Sequence, residues 1–479
     1  MAATLSRLRA LRPAPLPLAF GAAAIGCALL IGVLPLSLAF WLLLAAAALA
    51  GMLIDPAVGL CLAVASIPLQ ELVALPLDLT VTHVMGGLGL GAWLLVGLAR
   101  RELRIERPLL LPWSLFLIVL LLASAATPYN AVDALKQSMR WVLAFLAFVI
   151  ATTTVTTPRR AAWLLATILL VASLESLAGL RQFITGDGPE SFEVGAFVRA
   201  YGTIGKPNTF AGYLELAWPL GAALTVALAQ RWWREPRRPM LTAALAGSAA
   251  ATLICLAGVG ASFSRGAWLG SLAAGVVMIA LEERRRVMPL LALLAALGGV
   301  VVFKPELLPA SVAERATSIT KNFQIFDAGS VTVTDENFAV VERMAHWQAG
   351  ANMFLDRPWL GVGPGNFNLA YPRYFVGRWS ESQGHAHNYY IHIAAEAGLP
   401  GLLAYLLLTG AVVATGLRAA RATRGTDWHA AAIGGCGIIA AVLVHNLFEN
   451  LHVLNFGIHM SAVWGLLAVL ATRRGWQNA

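Results

Sequence analysis

Residues 100–126 read RRELRIERPLLLPWSLFLIVLLLASAA. Four arginines, Arg100, Arg101, Arg104 and Arg107, are followed by the uncharged run 108–126. At 1.5 Å per residue a helix of that length covers about 28 Å, close to the ~30 Å hydrocarbon core of a bilayer. In lipid the backbone must satisfy its own hydrogen bonds. A continuous apolar run does this as a helix, whereas barrel strands alternate and are about half as long. The basic flank marks the end of the helix that stays in the cytoplasm.

The same pattern recurs on both sides of this stretch. Candidate spans fall at 15–34, 36–54, 57–70, 79–98, 108–126, 141–156, 161–180, 209–230, 241–262, 267–281, 288–303, 390–416, 430–448 and 453–471. Without the short third span and the break at Pro35 the bundle has twelve. The chain is 58% hydrophobic and 12% charged, with mean hydropathy +0.72. A soluble domain carries about 25% charged residues, so this chain lacks the polar surface to face water. The expected fold is all-α and integral to the membrane: a polytopic bundle of 12–14 transmembrane helices with one large periplasmic loop containing amphipathic helices. It divides into an N-terminal bundle (1–303), the loop (304–389) and C-terminal spans (390–479). The first run follows Arg7, Arg9 and Arg12 as a signal peptide does, but no cleavage site follows and another span comes at once, so it reads as a retained anchor. Cys27, Cys61, Cys255 and Cys436 all fall inside spans and read as free thiols, without disulfide or zinc spacing.

Net charge is +9, and its sign matters only once sorted by side. The segments 1–14, around Asp55, 99–107, 157–160, 231–240, 282–287, 417–429 and 472–479 carry 21 of the 34 Lys and Arg and seven acids, including Arg284 to Arg286. They place both termini in the cytoplasm. The excess of base is thereby a membrane feature, and nucleic acid is not an expected partner. Thirteen basic residues break the trend: Lys136, Arg140, Arg181, Arg199, Lys206, Arg265, Lys304, Arg315, Lys321, Arg343, Arg357, Arg373 and Arg378. They lie outside or at outer span ends, which points to an anionic ligand there; pairing with local acids is the plain alternative.

Within the outer loop a helix is expected over about 335–356, capped by Asp335 and stopped by Pro358. Val340, Met344, Trp347, Ala351 and Phe354 form its apolar stripe, with Arg343 and His346 beside it. Such a helix lies on the membrane surface or roofs a cavity. The glycines of 358–367 (PWLGVGPGNF) fit a tight turn better than a phosphate cradle, since no Gly-Lys-Ser follows. Next comes Gly384-His385-Ala386-His387-Asn388. Two histidines two apart cannot share a helix face, and no cysteine or carboxylate spacing accompanies them, so no metal or other cofactor is expected. An imidazole beside a hydroxyl can act as a base near neutral pH. A structural loop histidine is the competing reading.

Four segments in order settle the context. His387-Asn388 with Gly398-Leu399-Pro400-Gly401, Ser264-Arg265-Gly266-Ala267-Trp268, the run 202–211 (GTIGKPNTFA), and Arg343 with Trp347, Pro358 and Gly361-Val362-Gly363 together resemble the O-antigen ligase and O-antigen polymerase superfamily, over about 199–465. The resemblance implies transfer of a glycan from undecaprenyl diphosphate on the periplasmic face, without metal. A ligase's acceptor is the lipid A core, a polymerase's is another lipid-linked repeat, and some relatives act on protein. It implies that His387 is the essential loop histidine, with Arg265 and Arg343 as catalytic arginines. Lys136, Arg140, Arg199, Lys206, Asn208, His385 and Asn388 are the candidate substrate-binding set. The chain carries one or two more N-terminal spans than the twelve typical of the ligases.

The chemistry suits those side chains. A glycosyl group leaving a diphosphate builds charge on the bridging oxygen, and fixed guanidinium groups stabilise it. His387 would take the acceptor's proton in a single inverting displacement. No carboxylate pair of glycosidase type is evident, and Glu215 is expected to balance a nearby cation instead. O-antigen ligase is the leading reading, with polymerase or protein O-oligosaccharyltransferase of the same superfamily as the alternative. A transporter of small anions is the alternative of another class; no internal repeat supports it.

Overall fold

The computed structural model describes residues 35–73, 75, 76, 79–101, 109–235, 238–282, 326–334 and 337–472. The expected spans 15–34 and 288–303, and Lys304, Arg315, Lys321 and Asp335, lie outside them. The described chain is a helical bundle with seven apolar helical stretches long enough to cross a membrane, one of them the joined pair over 207–234. The protein is a multi-pass membrane protein.

The helices run in the order α1 (Leu36–Ile54), α2 (Pro56–Ala65), α3 (Val81–Arg100), α4 (Leu110–Ala125), α5 (Ala131–Thr154) and α6 (Pro158–Thr185). A small hairpin, β1 (Glu193–Val194) and β2 (Phe197–Val198), leads to α7 (Pro207–Glu215), α8 (Trp218–Arg234), α9 (Pro239–Ala261) and α10 (Arg265–Leu281). The segment between α10 and α13 supplies α11 (Phe338–Asp356) and the short α12 (Phe367–Ala370); α13 (Tyr389–Ala422), α14 (His429–His445) and α15 (Phe456–Thr472) complete the described order. Proline, asparagine or threonine opens many of these helices. Asn130 caps α5 by accepting from Val132 and Asp133, and Thr157 caps α6 by accepting from Arg160. Each supplies an acceptor to amides that no earlier carbonyl can reach.

Three elements differ from the sequence reading. The span 57–70 is a ten-residue helix followed by a 3-10 turn at Ile67–Leu69. The span 209–230 is two helices broken at Leu216 and Ala217. The span at 390–416 folds back on itself. Gly398 has φ 67° and ψ −168°, a region essentially reserved for glycine. An unbroken helix would hold Tyr389 and Tyr405 about 24 Å apart, yet their ring centroids are 4.9 Å apart. The first part of α13 is therefore a half-helix whose N-terminus returns into the bundle. The tight turn expected at 358–367 braces the fold-back: Pro358 accepts from the Leu399 N–H at 2.7 Å, and Ala395 and Glu396 accept from Val362 and Gly363 at 2.9 Å each.

The stripe expected on α11 is displaced by about one residue. Val341, Met344, Ala345, Ala349 and Met353 are buried, whereas Ala351 is exposed. Small side chains let α11 press against α13, where Gly350 meets Ile391. Counting large apolar residues misses a face built from Ala and Gly, which is common in helix packing within membranes.

The core runs through the centre of the bundle. Trp113, Phe116, Trp141, Tyr389, Tyr405 and His452 form a cluster with ring centroids 4.3–6.5 Å apart in its contacting pairs. Offset and edge-on pairs of this kind are worth about 0.5–1.5 kcal/mol each beyond buried area. They fix the level at which the half-helix of α13 sits.

Contacts also sort the connecting segments into two faces. On one, Arg160 pairs with Asp55 at 2.8 Å, Arg100 reaches the Ile54 carbonyl, and Arg231 pairs with Asp427 at 2.9 Å. On the other, Thr203 binds the Pro68 carbonyl, Gln70 binds Asn455 and the Leu454 carbonyl, and Thr127 binds the Val362 carbonyl.

Candidate functional site

The site lies where the returning half-helix of α13 meets the loop after α14. His387 immediately precedes the cap of α13 and has φ 51°, unusual for a residue with a Cβ. Its backbone is held from both sides. Its N–H donates to His385 Nδ1 at 3.0 Å, and its carbonyl accepts from Trp347 Nε1 of α11 at 3.2 Å.

Glu449 organises the ring atoms. His385 Nε2 lies 3.0 Å from Glu449 Oε1, and His387 Nδ1 lies 3.5 Å from the same oxygen. The other carboxylate oxygen accepts from Asn208 Nδ2 at 2.9 Å. Asn208 Oδ1 in turn accepts from Arg199 Nη2, and Arg199 Nε donates to the Ser262 carbonyl, each at 2.7 Å. One polar line thus joins the loop before α13, the loop after α14, α7 and the segment entering α10. Glu449 is 5% exposed and His387 14% exposed, so this line sits largely out of water. His346 of α11 meets His387 edge-on at 5.4 Å between centroids.

The electrostatics follow from burial. Burial, helped by neighbouring His385 and Arg343, lowers the His387 pKa to about 4, against the opposing pull of Glu449. Burial works against charge on Glu449 too, but His385 and His387 outweigh it and hold the carboxyl well below its usual range. The ring of His387 is thereby neutral at neutral pH. With Nδ1 turned to the carboxylate, Nε2 is the nitrogen left to accept a proton. His346 is also lowered by burial, and its Nδ1 lies 2.7 Å from the Glu342 carbonyl.

One atom each from His385, His387 and Glu449 lie within 4.8 Å of one another, a spacing that suits a metal ion. The tautomer of His385 argues otherwise. Its Nδ1 is taken by the His387 backbone N–H, so an ion at Nε2 would need a ring with no proton on either nitrogen.

The other candidate residues divide. Arg343 projects from α11 close enough for its charge to act on His387. Arg265 opens α10, and the adjacent Gly266 lies against His445 and Phe448, the residue before Glu449. Lys206 is exposed at the start of α7. Lys136 and Arg140 stand on the exposed side of α5, where Arg140 Nη1 bonds Gln137. The neighbouring Trp141 packs on His452 with ring centroids 4.6 Å apart. The Asn388 side chain is used as a helix cap, accepting from Tyr390 and Ile391.

Two features went unread in the sequence. Glu449 is the hub of the site, and His452 packs behind it, its Nε2 3.0 Å from the Tyr405 hydroxyl. Their signal was the polar run Asn446-Leu447-Phe448-Glu449-Asn450 between two apolar spans. Glu215 Oε2 lies 2.6 Å from His445 Nδ1, both side chains being almost wholly buried.

These features define a polytopic membrane protein with a roofed, polar, histidine-carboxylate-arginine site at one end of its bundle. Residues 250–406 match the family described as O-antigen ligase, whose members are glycosyltransferase-like membrane enzymes, and that match supports the O-antigen ligase superfamily. The matched segment holds Arg265, Arg343, His385 and His387; Arg199, Asn208 and Glu449 lie outside it. No curated protein matches the chain.

Proposed function

We propose that this protein is an O-antigen ligase, transferring a glycan from undecaprenyl diphosphate to the lipid A core on the periplasmic face of a bacterial inner membrane, with both termini in the cytoplasm. The observation that carries the reading is His387: a largely buried imidazole whose Nδ1 lies 3.5 Å from Glu449, its backbone fixed from two sides, with Arg343 of α11 close enough for its charge to act on it. The family supports a lipid-linked glycan donor and a lipid-anchored acceptor.

His387 Nε2 takes the proton of an acceptor hydroxyl as that oxygen attacks the anomeric carbon. The bond from that carbon to the diphosphate oxygen breaks, and its electron pair leaves with the diphosphate. The anomeric centre inverts. The imidazolium formed carries its second proton on Nδ1, facing Glu449 at 3.5 Å; such contacts tighten as charge develops. Arg265 and Arg343 neutralise the leaving group. General-base catalysis of this kind contributes about 10²–10⁴ in rate, and charge stabilisation supplies the remainder without a metal.

The test is a competition. Purified protein receives undecaprenyl-diphosphate glycan together with lipid A core and a second lipid-linked repeat, with chelator present throughout. Sugar on the lipid A core supports the ligase. Sugar on the second repeat replaces it with a polymerase. No transfer by wild type, or wild-type transfer by folded His387→Ala, overturns the mechanism.

A further inference from the structure

The face opposite His387 holds a second polar hollow. The ends of α8, α10 and α14 and the turn between α13 and α14 enclose a cavity of about 480 Å³. Three arginines line it: Arg231, Arg234 and Arg424. Two of its acids are taken up within the protein. Arg231 pairs with Asp427 at 2.9 Å and approaches Glu235 at 3.8 Å, and Arg238 pairs with Glu235 at 2.9 Å. Glu282, which also lines the hollow, has a partner of its own. Among the described residues, the guanidinium groups of Arg234 and Arg424 pair with nothing, and both residues are exposed.

Depth identifies what such groups would meet. α14 carries the chain from this cavity to His445, about 25 Å at 1.5 Å per residue, so the cavity lies one hydrocarbon thickness from the transferase site. Indoles mark the same level: Trp233 is 77% exposed, and Trp232 donates to Thr242 at 3.0 Å. Tryptophans concentrate where headgroups meet acyl chains. Two uncompensated guanidiniums at that depth, beside a hollow of headgroup size, fit a phosphodiester, whose oxygens arginine can bond two at a time.

We propose that this cavity binds the phosphate of an anionic phospholipid in the leaflet opposite the transferase site, held by Arg234 and Arg424. The assignment is independent of the transferase reading, because it uses no residue of that site.

Native mass spectrometry of the full-length protein, released from vesicles of equal phosphatidylglycerol and phosphatidylethanolamine, tests it. Wild type should retain phosphatidylglycerol preferentially. Arg234→Gln/Arg424→Gln should lose about ten-fold or more of that preference, since each basic group near a surface contributes modestly to anionic-lipid binding. Arg234→Lys/Arg424→Lys should keep most of it, which separates lost charge from lost folding. An undiminished preference in the glutamine variant overturns the proposal. Displacement of the lipid by millimolar inorganic phosphate overturns the lipid assignment in favour of a free-phosphate site.

Discussion

Glu449 decides how His387 behaves, because it faces the ring nitrogen that is not needed for proton abstraction. Removing its charge takes away the one influence that raises the His387 pKa and leaves the imidazolium of the transition state without a counter-charge. Glu449→Gln should therefore lower kcat by about 10²-fold, in the range that mispositioned acid–base groups cost, while donor KM changes little. A steady-state assay measures this, and an unchanged kcat would remove Glu449 from the mechanism. The pH profile gives a second test. A base must be neutral to act, and the lowered pKa of about 4 keeps His387 neutral far into acid. The acid limb of kcat/KM should fall well below pH 6.5. Arg343 pushes the same pKa down, so Arg343→Gln should move that limb upward as well as slow turnover; a limb unmoved by the substitution would separate Arg343 from His387.

At the scale of elements, the site depends on two devices that fix backbone position. One is the pair Glu215–His445, which joins α7 to α14, with Ser271 of α10 3.4 Å from Glu215. Gly270 makes room for it, since a Cβ there would come 2.4 Å from Glu215 Oε1. The pair ties together the helices that lead to Asn208, Glu449 and Arg265. Glu215→Ala leaves the buried His445 Nδ1 without its hydrogen-bond partner and should destabilise by about 1–3 kcal/mol, seen as a lower melting temperature in detergent; an unshifted melt would show that the pair carries no load. The other device is the fold-back at Gly398, where a Cβ would come 2.4 Å from the Trp359 carbonyl. Gly398→Ala should both destabilise and displace His387. These devices also show how far the sequence could be read. Apolar length and sorted charge locate helices, because lipid imposes them locally. His387, Arg265 and Arg343 stood out as candidates because they sit in short motifs. Glu449 was not, since its partners Asn208 and His385 are distant in sequence and no spacing rule links them. The break at Leu216 and the fold-back of α13 were hidden for a related reason. Hydropathy reports that a run is buried in lipid, not that its direction reverses within it.

For the whole molecule, what matters is which face looks outward. The contacts define two faces, and the donor chemistry requires that the His387 face be the one where lipid-linked glycan accumulates. We infer the direction from charge: the segment that holds Arg231 belongs to the set that carries most of the Lys and Arg, and such segments are expected to stay in the cytoplasm. Labelling from one side separates the possibilities. Ser380 is exposed on the outer segment and Arg421 at the far end of α13. With the native cysteines replaced by serine, Ser380→Cys should react with a membrane-impermeant maleimide on intact cells. Arg421→Cys should react only after the membrane is opened. The reverse pattern would place the histidine site in the cytosol, where a glycan already carried across the membrane could not reach it. The ligase reading would then fail although the local chemistry of the site stood unchanged.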